Sequence, residues 1–599
     1  MIYGIILFFL FFVFSFDKNN IFVKNKPLIS TNSNFDNTLK NETKRKLDEN
    51  YDNISIIVES KCLFSYLGTL EDIDKTNIDI IKKSIDRAKK TLEKLIKVQK
   101  LGHIDFKNLG FPDVLDSGFK NCIDENLINN GTDADLVIFM RGSQTEGTLK
   151  SYVRTNIIKY DINTKRPIIG TFIYNFLDFP KDENYSFQLI STLIIHHFTH
   201  ILGLKKDILI REGIINNTQV IVRFNRSIIS KPVVVSSRVI KTAKEYFNCS
   251  NLTYLEINDE TNDICEETFH WNARILLGEY MLANIYYPEQ IISEFTLSLL
   301  EDLNYYQVNY YTGGLMRYGK NKGCSFIYGD CISFISMFNL NFLNSLFLNE
   351  FCNLNSETIG TCSSGRQSMG YCFSSTSSGE MVDYIRIPKK SANGFGPKFI
   401  EYCPISYEIE IYPNQDIVRD EKFNGNCKIG NKNFGEYLYY FKEDEDEKKY
   451  RYNDFSEIIE ENYSEISFCA LSSILKKDER EKSSNSIIKG LIRPTCYQMF
   501  CSNTSLTIKL NKEYIVCPRE GGLIRIESNY TDYEGYLYCP DYNLICTGTV
   551  VCNNMFDCVE KSSEIKNNTY IYNYSNIFLY FQMLIRKIKF KKFQLKDMS

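Results

Sequence analysis

The chain has 599 residues, which is too long for a single hydrophobic core and predicts several domains. Hydrophobic residues make up 43% of the sequence, charged residues make up 24%, and the formal net charge is −4. These values are typical of an ordinary globular protein. They argue against a nucleic-acid partner, because proteins that bind nucleic acids usually carry an excess of Lys and Arg.

The first 16 residues are almost wholly apolar, too few to cross a bilayer, and followed at once by Asp17 and Lys18. This pattern predicts a secretory signal peptide over 1–16. Residues 17–50 are polar and lack apolar periodicity, which indicates a short propeptide or linker. The 19 Cys residues also favour a secreted or cell-surface (extracellular) location, because exported chains use Cys as disulfides. Sequons that fit a glycoprotein include Asn130, Asn225, Asn248, Asn503 and Asn529.

Strand and helix signals alternate after residue 50. Ile54–Val58 predicts a strand, because β-branched residues favour extended backbone. A helix with an apolar stripe of helical period is predicted next, with its buried face at Ile81, Ile85, Ala88, Leu92 and Leu95. Ala134–Phe139 and Pro167–Ile173 predict two buried strands ahead of another helix. This mixed order predicts an α+β fold class.

The region from Cys324 to Cys558 has a different character. It holds 15 of the 19 Cys residues, together with short strand signals and Gly turns, which predicts a separate disulfide-rich, mainly β domain. The charged run Lys442–Arg451 is interpreted as a solvated loop. Near the C-terminus the apolar run Ile577–Ile585 is too short for a ~30 Å hydrocarbon core. Its basic flank predicts at most a weak membrane anchor or an interfacial segment.

Three of the five His residues lie within five positions, at His196, His197 and His200. Residues four apart lie on one face of a helix, so His196 and His200 can offer two imidazoles to one zinc ion. The surrounding sequence is apolar nearly all round, which predicts a buried helix that Gly203 ends. Metal ligation would remove the cost of burying two unpaired imidazoles. The alternative is a pair of core His residues that are satisfied by hydrogen bonds.

A tetrahedral site with one open position needs a third protein ligand. In extended His-x-x-x-His motifs it usually follows six residues after the second His, but that position is Lys206, which cannot ligate while charged. Asp207 is one residue out of place. His270 is the only other downstream His, so elimination points to it.

The run His196–Gly203, the pair His270-Trp271 and a Met eleven residues after His270, at Met281, together resemble the leishmanolysin family of metzincin zinc endopeptidases. The segment Arg166–Gly170 resembles the family strand that precedes the active helix. This resemblance implies one Zn²⁺ per chain, His196, His200 and His270 as its ligands, and Met281 in the family's Met-turn. It also implies that protein or peptide substrates or ligands are the partners.

The same resemblance implies a general base directly after the first His, where the family has Glu and this chain has His197. An imidazole is a competent base in principle, but it lacks the charge and reach of a carboxylate. Loss of a positioned base typically costs ~10²–10⁴ in rate. We therefore expect a zinc metalloendopeptidase scaffold with weak or absent hydrolysis. His197 could instead serve as the base, pack in the helix or close the site as a fourth ligand.

These expectations define a domain organisation that runs, in chain order, signal peptide 1–16, propeptide or linker 17–50, N-terminal catalytic subdomain 51–205, central subdomain 206–330 with His270 and Met281, Cys-rich domain 331–560 and tail 561–599. The competing hypothesis is a non-catalytic secreted or surface binding or adhesion protein that keeps the zinc site and the peptide cleft. Residues 17–50 contain no Cys, so the first one, Cys62, is expected to be either an unpaired thiol or a latency switch.

Overall fold

The computed structural model describes residues 51–560 except for the following: 70–74, 120–121, 144–150, 177–182, 222–227, 259–268, 284–289, 311–315, 330–349, 352–360, 374–399, 402, 404, 409, 412–422, 425, 429–460, 465, 478–492, 503, 527–531 and 547–554. Four predicted segments lie outside the described residues: the signal peptide, the propeptide or linker, the charged loop and the tail. None of the described helices combines the length and apolarity that are needed to cross a bilayer.

The first third of the described chain is a mixed sheet with helices packed on it. Its elements are β1 (Tyr51–Asn53), β2 (Ile56–Glu59), α1 (Lys61–Leu67), α2 (Lys75–Leu95), β3 (Ile96–Gln99), β4 (His103–Ile104), α3 (Glu125–Asn130), β5 (Thr132–Asp133), β6 (Leu136–Gly142), β7 (Ser151–Tyr160), β8 (Pro167–Phe176), α4 (Glu183–Ile201) and α5 (Lys206–Arg211).

The main sheet has the order β2-β6-β8-β7. Its first three strands are parallel, and β7 runs antiparallel to β8 at the edge. Strand β6 is buried along nearly all its length, which is typical of a parallel strand that is covered on both faces. Leu136, Ile138 and Met140 face the helical layer, whereas Val137 and Phe139 pack with a second core on the opposite face. This alternation follows from the two-residue period of a strand.

The central part of the chain carries a small antiparallel sheet and short helices. Its elements are β9 (Ile215–Ile221), β10 (Ile228–Val234), α6 (Ser237–Phe247), β11 (Leu255–Glu256), α7 (Ala273–Leu276), α8 (Glu294–Asp302), β12 (Gln307–Val308) and α9 (Gly323–Tyr328). Strand β12 pairs with β3, which joins this part to the N-terminal region.

The C-terminal part is mainly β, as predicted. Its elements are β13 (Thr361–Cys362), β14 (Met369–Phe373), β15 (Ile405–Glu408), β16 (Glu410–Ile411), β17 (Phe423–Asn424), β18 (Ser467–Ser472), β19 (Leu475–Lys476), β20 (Arg493–Cys501), β21 (Leu506–Leu510), β22 (Glu513–Val516), β23 (Gly522–Ile526), β24 (Tyr533–Cys539) and α10 (Tyr542–Cys546). A seven-stranded sheet follows the order β19-β24-β18-β20-β21-β22, with β23 paired to β24. The α+β class with a disulfide-rich, mainly β C-terminal region is therefore confirmed.

Disulfides cross-link both halves of the described chain: Cys62–Cys122, Cys249–Cys324, Cys362–Cys469, Cys427–Cys496, Cys501–Cys546 and Cys517–Cys539. The expectation of an unpaired or latency thiol at Cys62 is wrong. Cys62 lies on α1 and is bonded to Cys122 near the opposite face of the sheet. Pairing is a property of three-dimensional proximity, which Cys spacing alone does not reveal.

Candidate metal centre

Helix α4 carries two of the candidate ligands into the core. Ile195, Phe198 and Ile201 are fully buried, in agreement with a helix that is apolar on most sides. The helix lies close to β8 because Gly170 has no side chain: a Cβ there would come within 2.4 Å of Cγ2 of Ile201. Gly203 adopts φ +112, and its N–H donates to the carbonyl of His200 at 3.1 Å. The prediction that Gly203 ends the helix is therefore confirmed.

The imidazoles of His196, His200 and His270 converge at one buried point. Nε2 of His196 lies 3.1 Å from Nε2 of His200 and 3.2 Å from Nε2 of His270. The three candidate ligand atoms all lie within 4.8 Å of one another. All three side chains are at least nine-tenths buried. The cluster thus joins two residues of α4 to one residue that lies 74 positions from His196.

Backbone carbonyls fix the tautomers of the two helical imidazoles. Nδ1 of His196 lies 2.8 Å from the carbonyl oxygen of Tyr280, and Nδ1 of His200 lies 2.8 Å from that of Leu204. A carbonyl can only accept, so each Nδ1 carries the proton and each Nε2 presents a lone pair. Two lone pairs at 3.1 Å repel each other unless a cation lies between them.

These residues fit a zinc ion. Three nitrogen ligands at ~2.0–2.1 Å around a tetrahedral ion would be separated by roughly 3.3 Å, close to the separations of 3.1 and 3.2 Å found here. Burial lowers the pKa of His196 to about 4, and it holds the pKa values of His200 and His270 well below the usual value. The imidazoles are therefore neutral at physiological pH, which is the form that binds metal.

Comparison with known proteins agrees with this geometry. The family model described as leishmanolysin matches residues 79–552, which is most of the chain. The chain belongs to the leishmanolysin family. The similar curated proteins include leishmanolysin of Leishmania tropica, 23% identical over 61% of this chain and 48% of its own length. The leishmanolysin homolog of Crithidia fasciculata is 23% identical over 47% of this chain and 40% of its own length.

A leishmanolysin-like peptidase of Drosophila pseudoobscura pseudoobscura is also similar, with 24% identity over 52% of this chain and 44% of its own length. The leishmanolysin-type chain thus spans about half the length of the curated relatives that it matches. The family identifies a metallopeptidase scaffold, and the His cluster lies within the matched residues.

His197 follows the first candidate ligand on α4 but does not join the cluster. Its partly exposed ring packs edge-on against Phe172 of β8, with the ring centroids 5.9 Å apart. Its Nδ1 is buried and finds no hydrogen-bond partner among the described residues. Burial, and then the nearby His196 and His200, lower the pKa of His197 well below its usual value. His197 is therefore neutral and adds no negative charge to this leishmanolysin-type site.

The two positions weighed for the third ligand lie outside the cluster. Lys206 is the first residue of α5, and its positive charge is one of the causes that lower the pKa of His270. Asp207 is exposed on α5. The elimination that led to His270 therefore agrees with the geometry, because the third imidazole arrives from the segment before α7.

Met281 and its neighbours form a tight buried turn after α7. Met281 is fully buried, and its carbonyl accepts a hydrogen bond from the N–H of Trp271 at 3.1 Å. Two residues earlier, Glu279 is also fully buried, and burial raises its pKa to about 7. The motifs in the sequence predict no role for Glu279. A lone carboxylate within the otherwise apolar run from Ile275 to Leu282 was the signal that could have drawn attention to it.

Proposed function

We propose that this chain is a zinc-binding, leishmanolysin-type metalloendopeptidase scaffold in which His197 weakens or abolishes peptide hydrolysis. His196, His200 and His270 hold the ion, and their convergence through three Nε2 atoms supports this assignment. A zinc ion in such a site supplies Lewis acidity toward a peptide carbonyl. The observation that carries the proposal is the neutral, partly buried imidazole of His197 at the position where the resemblance implies a carboxylate.

Two backbone carbonyls and the edge of strand β7 complete the proposed site. The carbonyls of Tyr280 and Leu204 orient two of the imidazoles and keep their protons on Nδ1. Strand β7 is the last strand of the main sheet, so its outer edge pairs with no described strand. Such an edge can bind an extended peptide by adding it to the sheet. Thr155 of β7 pairs with Phe172, the residue beneath His197, which brings this edge beside the cluster.

His197 lacks two properties of a general-base carboxylate. It contributes no negative charge, and its Nδ1 points into the protein without a described partner. Proton transfer from the attacking water then loses a positioned acceptor, which typically costs ~10²–10⁴ in rate. Ligation does not depend on His197, so metal binding persists while hydrolysis declines.

The cellular setting is part of the same proposal. We propose secretion through the signal peptide 1–16, because the six described disulfides are typical of an oxidising compartment. Proteins or peptides are the proposed partners. The domain boundaries given above, the glycosylation of the sequons and the membrane contact through 561–599 are proposed on the sequence signals alone.

The first experiment measures metal. Purified wild-type protein is expected to contain one zinc per chain. The His200→Ala, His270→Ala double variant is expected to contain almost none, since one imidazole cannot hold the ion against dialysis. Stoichiometric zinc in that double variant would overturn the ligand assignment.

The second experiment restores the carboxylate. His197→Glu should leave the zinc content unchanged and raise the hydrolysis of a quenched fluorescent peptide library by ~10²–10⁴. Wild-type cleavage that rises through the imidazole pKa, with little gain in the Glu variant, would instead make His197 a working base. Peptide binding without cleavage in either form would favour the binding or adhesion protein.

A further inference from the structure

Glu279 accepts three hydrogen bonds inside the core. Its Oε2 accepts from the backbone N–H of Met281, and its Oε1 accepts from the hydroxyls of Ser293 and Thr296 at 2.9 and 2.6 Å. All three partners are fully buried or nearly so. Three donors on one carboxyl group hold it firmly in place.

The first of these bonds acts on the ligand His196 through a single peptide group. The N–H of Met281 and the carbonyl of Tyr280 belong to the same peptide plane, and in a trans peptide they point in opposite directions. Glu279 holds the N–H end, while the carbonyl end accepts from Nδ1 of His196 at 2.8 Å. The carboxylate therefore sets the plane that orients this imidazole.

The second route leads toward His270. The hydroxyl of Thr296 has one proton, which it donates to Glu279, so its lone pair accepts from Nε1–H of Trp271 at 2.9 Å. Trp271 directly follows His270 in the chain, and its backbone N–H donates to the carbonyl of Met281. Glu279 thus fixes the direction of the hydrogen bond from Trp271 to Thr296. That bond anchors Trp271, which is the neighbour of His270 in the chain.

We propose that Glu279 is a positioning residue of the metal centre, which orients His196 through the 280–281 peptide and steadies His270 through Thr296 and Trp271. This inference rests on the proposed zinc site. Outer partners of metal-binding imidazoles typically change metal affinity 10–100-fold when they are removed. A purely structural alternative is that Glu279 only supports the start of α8, where Ser293 is the N-cap residue.

The test compares Glu279→Met, Glu279→Gln and Ser293→Ala in the full-length protein. Zinc affinity is measured by competition with a chromophoric chelator, and the ligand geometry is followed by the visible absorption of the Co²⁺-loaded protein. Glu279→Met, which removes every acceptor, should weaken zinc binding ~10–100-fold and alter the Co²⁺ spectrum. Glu279→Gln keeps one acceptor oxygen and should recover part of the affinity.

Ser293→Ala is the matched control, because it removes one donor to Glu279 and the cap of α8 but leaves the 280–281 peptide anchored. It should lower the melting temperature with little change in zinc affinity or in the Co²⁺ spectrum. If Glu279→Met and Ser293→Ala lower the melting temperature alike and both keep wild-type affinity and spectrum, the proposal is overturned.

If the wild type binds no zinc, the proposed zinc ligands are wrong, but the proposal that Glu279 orients His196 is still to be decided. In that case a crystal structure of Glu279→Met, which has no acceptor for the Met281 N–H, decides the matter. A rotated 280–281 peptide is the expected result, and an unchanged peptide with His196 in place would refute the role of Glu279.

Discussion

At the scale of single residues, the proposed metal ligation and the proposed proton transfer would be separate tasks on helix α4. His196 and His200 point to the cluster, whereas His197 lies between them in sequence and packs on Phe172. A helix turns by about 100° per residue, so neighbours in sequence cannot share one direction. The chain can therefore keep its candidate ligands while the adjacent position changes its chemistry.

His197→Leu tests whether this imidazole is a fourth ligand. Leu keeps the packing on Phe172 and removes the buried Nδ1 that has no described partner. We expect unchanged zinc affinity and a free energy of unfolding that is equal to, or about 1 kcal/mol above, that of the wild type, because an unsatisfied buried polar atom is lost. Chelator competition measures the zinc affinity, and denaturant titration measures the free energy of unfolding. Zinc affinity that falls tenfold would show that His197 ligates.

Glu461 is another buried carboxyl group, in the C-terminal part of the chain. Burial raises its pKa to about 8, against an ordinary value of 4.5. A raised folded-state pKa means that the folded protein binds the proton more tightly than the unfolded chain. The stabilising contribution is complete below pH 4.5 and is lost as the pH rises through about 8.

Glu461→Gln should therefore raise the melting temperature at pH 8.5 to 9 and give no gain at pH 4. The difference in free energy of unfolding is expected to be a few kcal/mol at the higher pH, since each pKa unit corresponds to about 1.4 kcal/mol. Differential scanning fluorimetry over a pH series measures the melting temperatures of the wild type and the variant. The exposed Glu520→Gln serves as the control and should show no such trend.

At the scale of elements, the distance between α4 and the sheet is set by Gly170. A Cβ at this position would approach Cγ2 of Ile201 to 2.4 Å, which is too close for any real contact. The backbone oxygen of Asn156 lies 3.2 Å from the same point, so the strand cannot readily shift toward β7. Helix α4 must therefore move outward if the glycine is replaced, and the imidazoles move with it.

Gly170→Ala should cost ~1–3 kcal/mol of stability through overpacking and should weaken zinc binding. Ile201→Ala alone should cost ~2–5 kcal/mol by leaving a cavity. In the double variant the new methyl group enters that space, so its total cost should be smaller than the sum of the two single costs. Denaturant titrations of the four proteins give the coupling, and strict additivity would refute the contact.

Much of this element scale could be predicted from the sequence. The strand Pro167–Ile173 appears as β8, which is three residues longer, and the helix around His196 appears as α4. Strand β7 received no prediction, because its mixed polar sequence becomes a strand only through pairing with β8. The contacts of Glu279 and the partner of Cys62 were also missed, since both depend on three-dimensional proximity that residue type and spacing do not reveal.

At the scale of the whole molecule, the largest core is built from distant parts of the chain. It contains residues of the N-terminal strands and helices, the Met281 turn, and Met555 and Phe556 near the end of the described chain. The ring of Phe556 lies 4.2 Å from the guanidinium of Arg87 on α2. The Cys-rich part thus also stabilises the helical layer that carries the candidate ligands.

The bond Cys62–Cys122 makes a similar long-range connection, and its removal should affect stability but not function. It closes a loop of 60 residues, whereas Cys517–Cys539 closes one of 22. A disulfide lowers the entropy of the unfolded chain more when it closes a longer loop. The Cys62→Ser, Cys122→Ser variant should therefore lose roughly 4 kcal/mol of unfolding free energy, about 1 kcal/mol more than the Cys517→Ser, Cys539→Ser variant. Denaturant titration of both double variants measures this difference.

The zinc content and the rate of peptide hydrolysis should stay unchanged when Cys62 and Cys122 are replaced, because a bonded Cys62 has no thiolate to offer a metal. Zinc analysis and the fluorescent peptide assay, applied to the wild type and to the Cys62→Ser, Cys122→Ser variant, test this. A rise in hydrolysis in that variant, absent from the pair at 517 and 539, would mean that Cys62 restrains the site after all. Equal rates in all three proteins leave the bond as a structural link between α1 and the segment that covers the far face of the sheet.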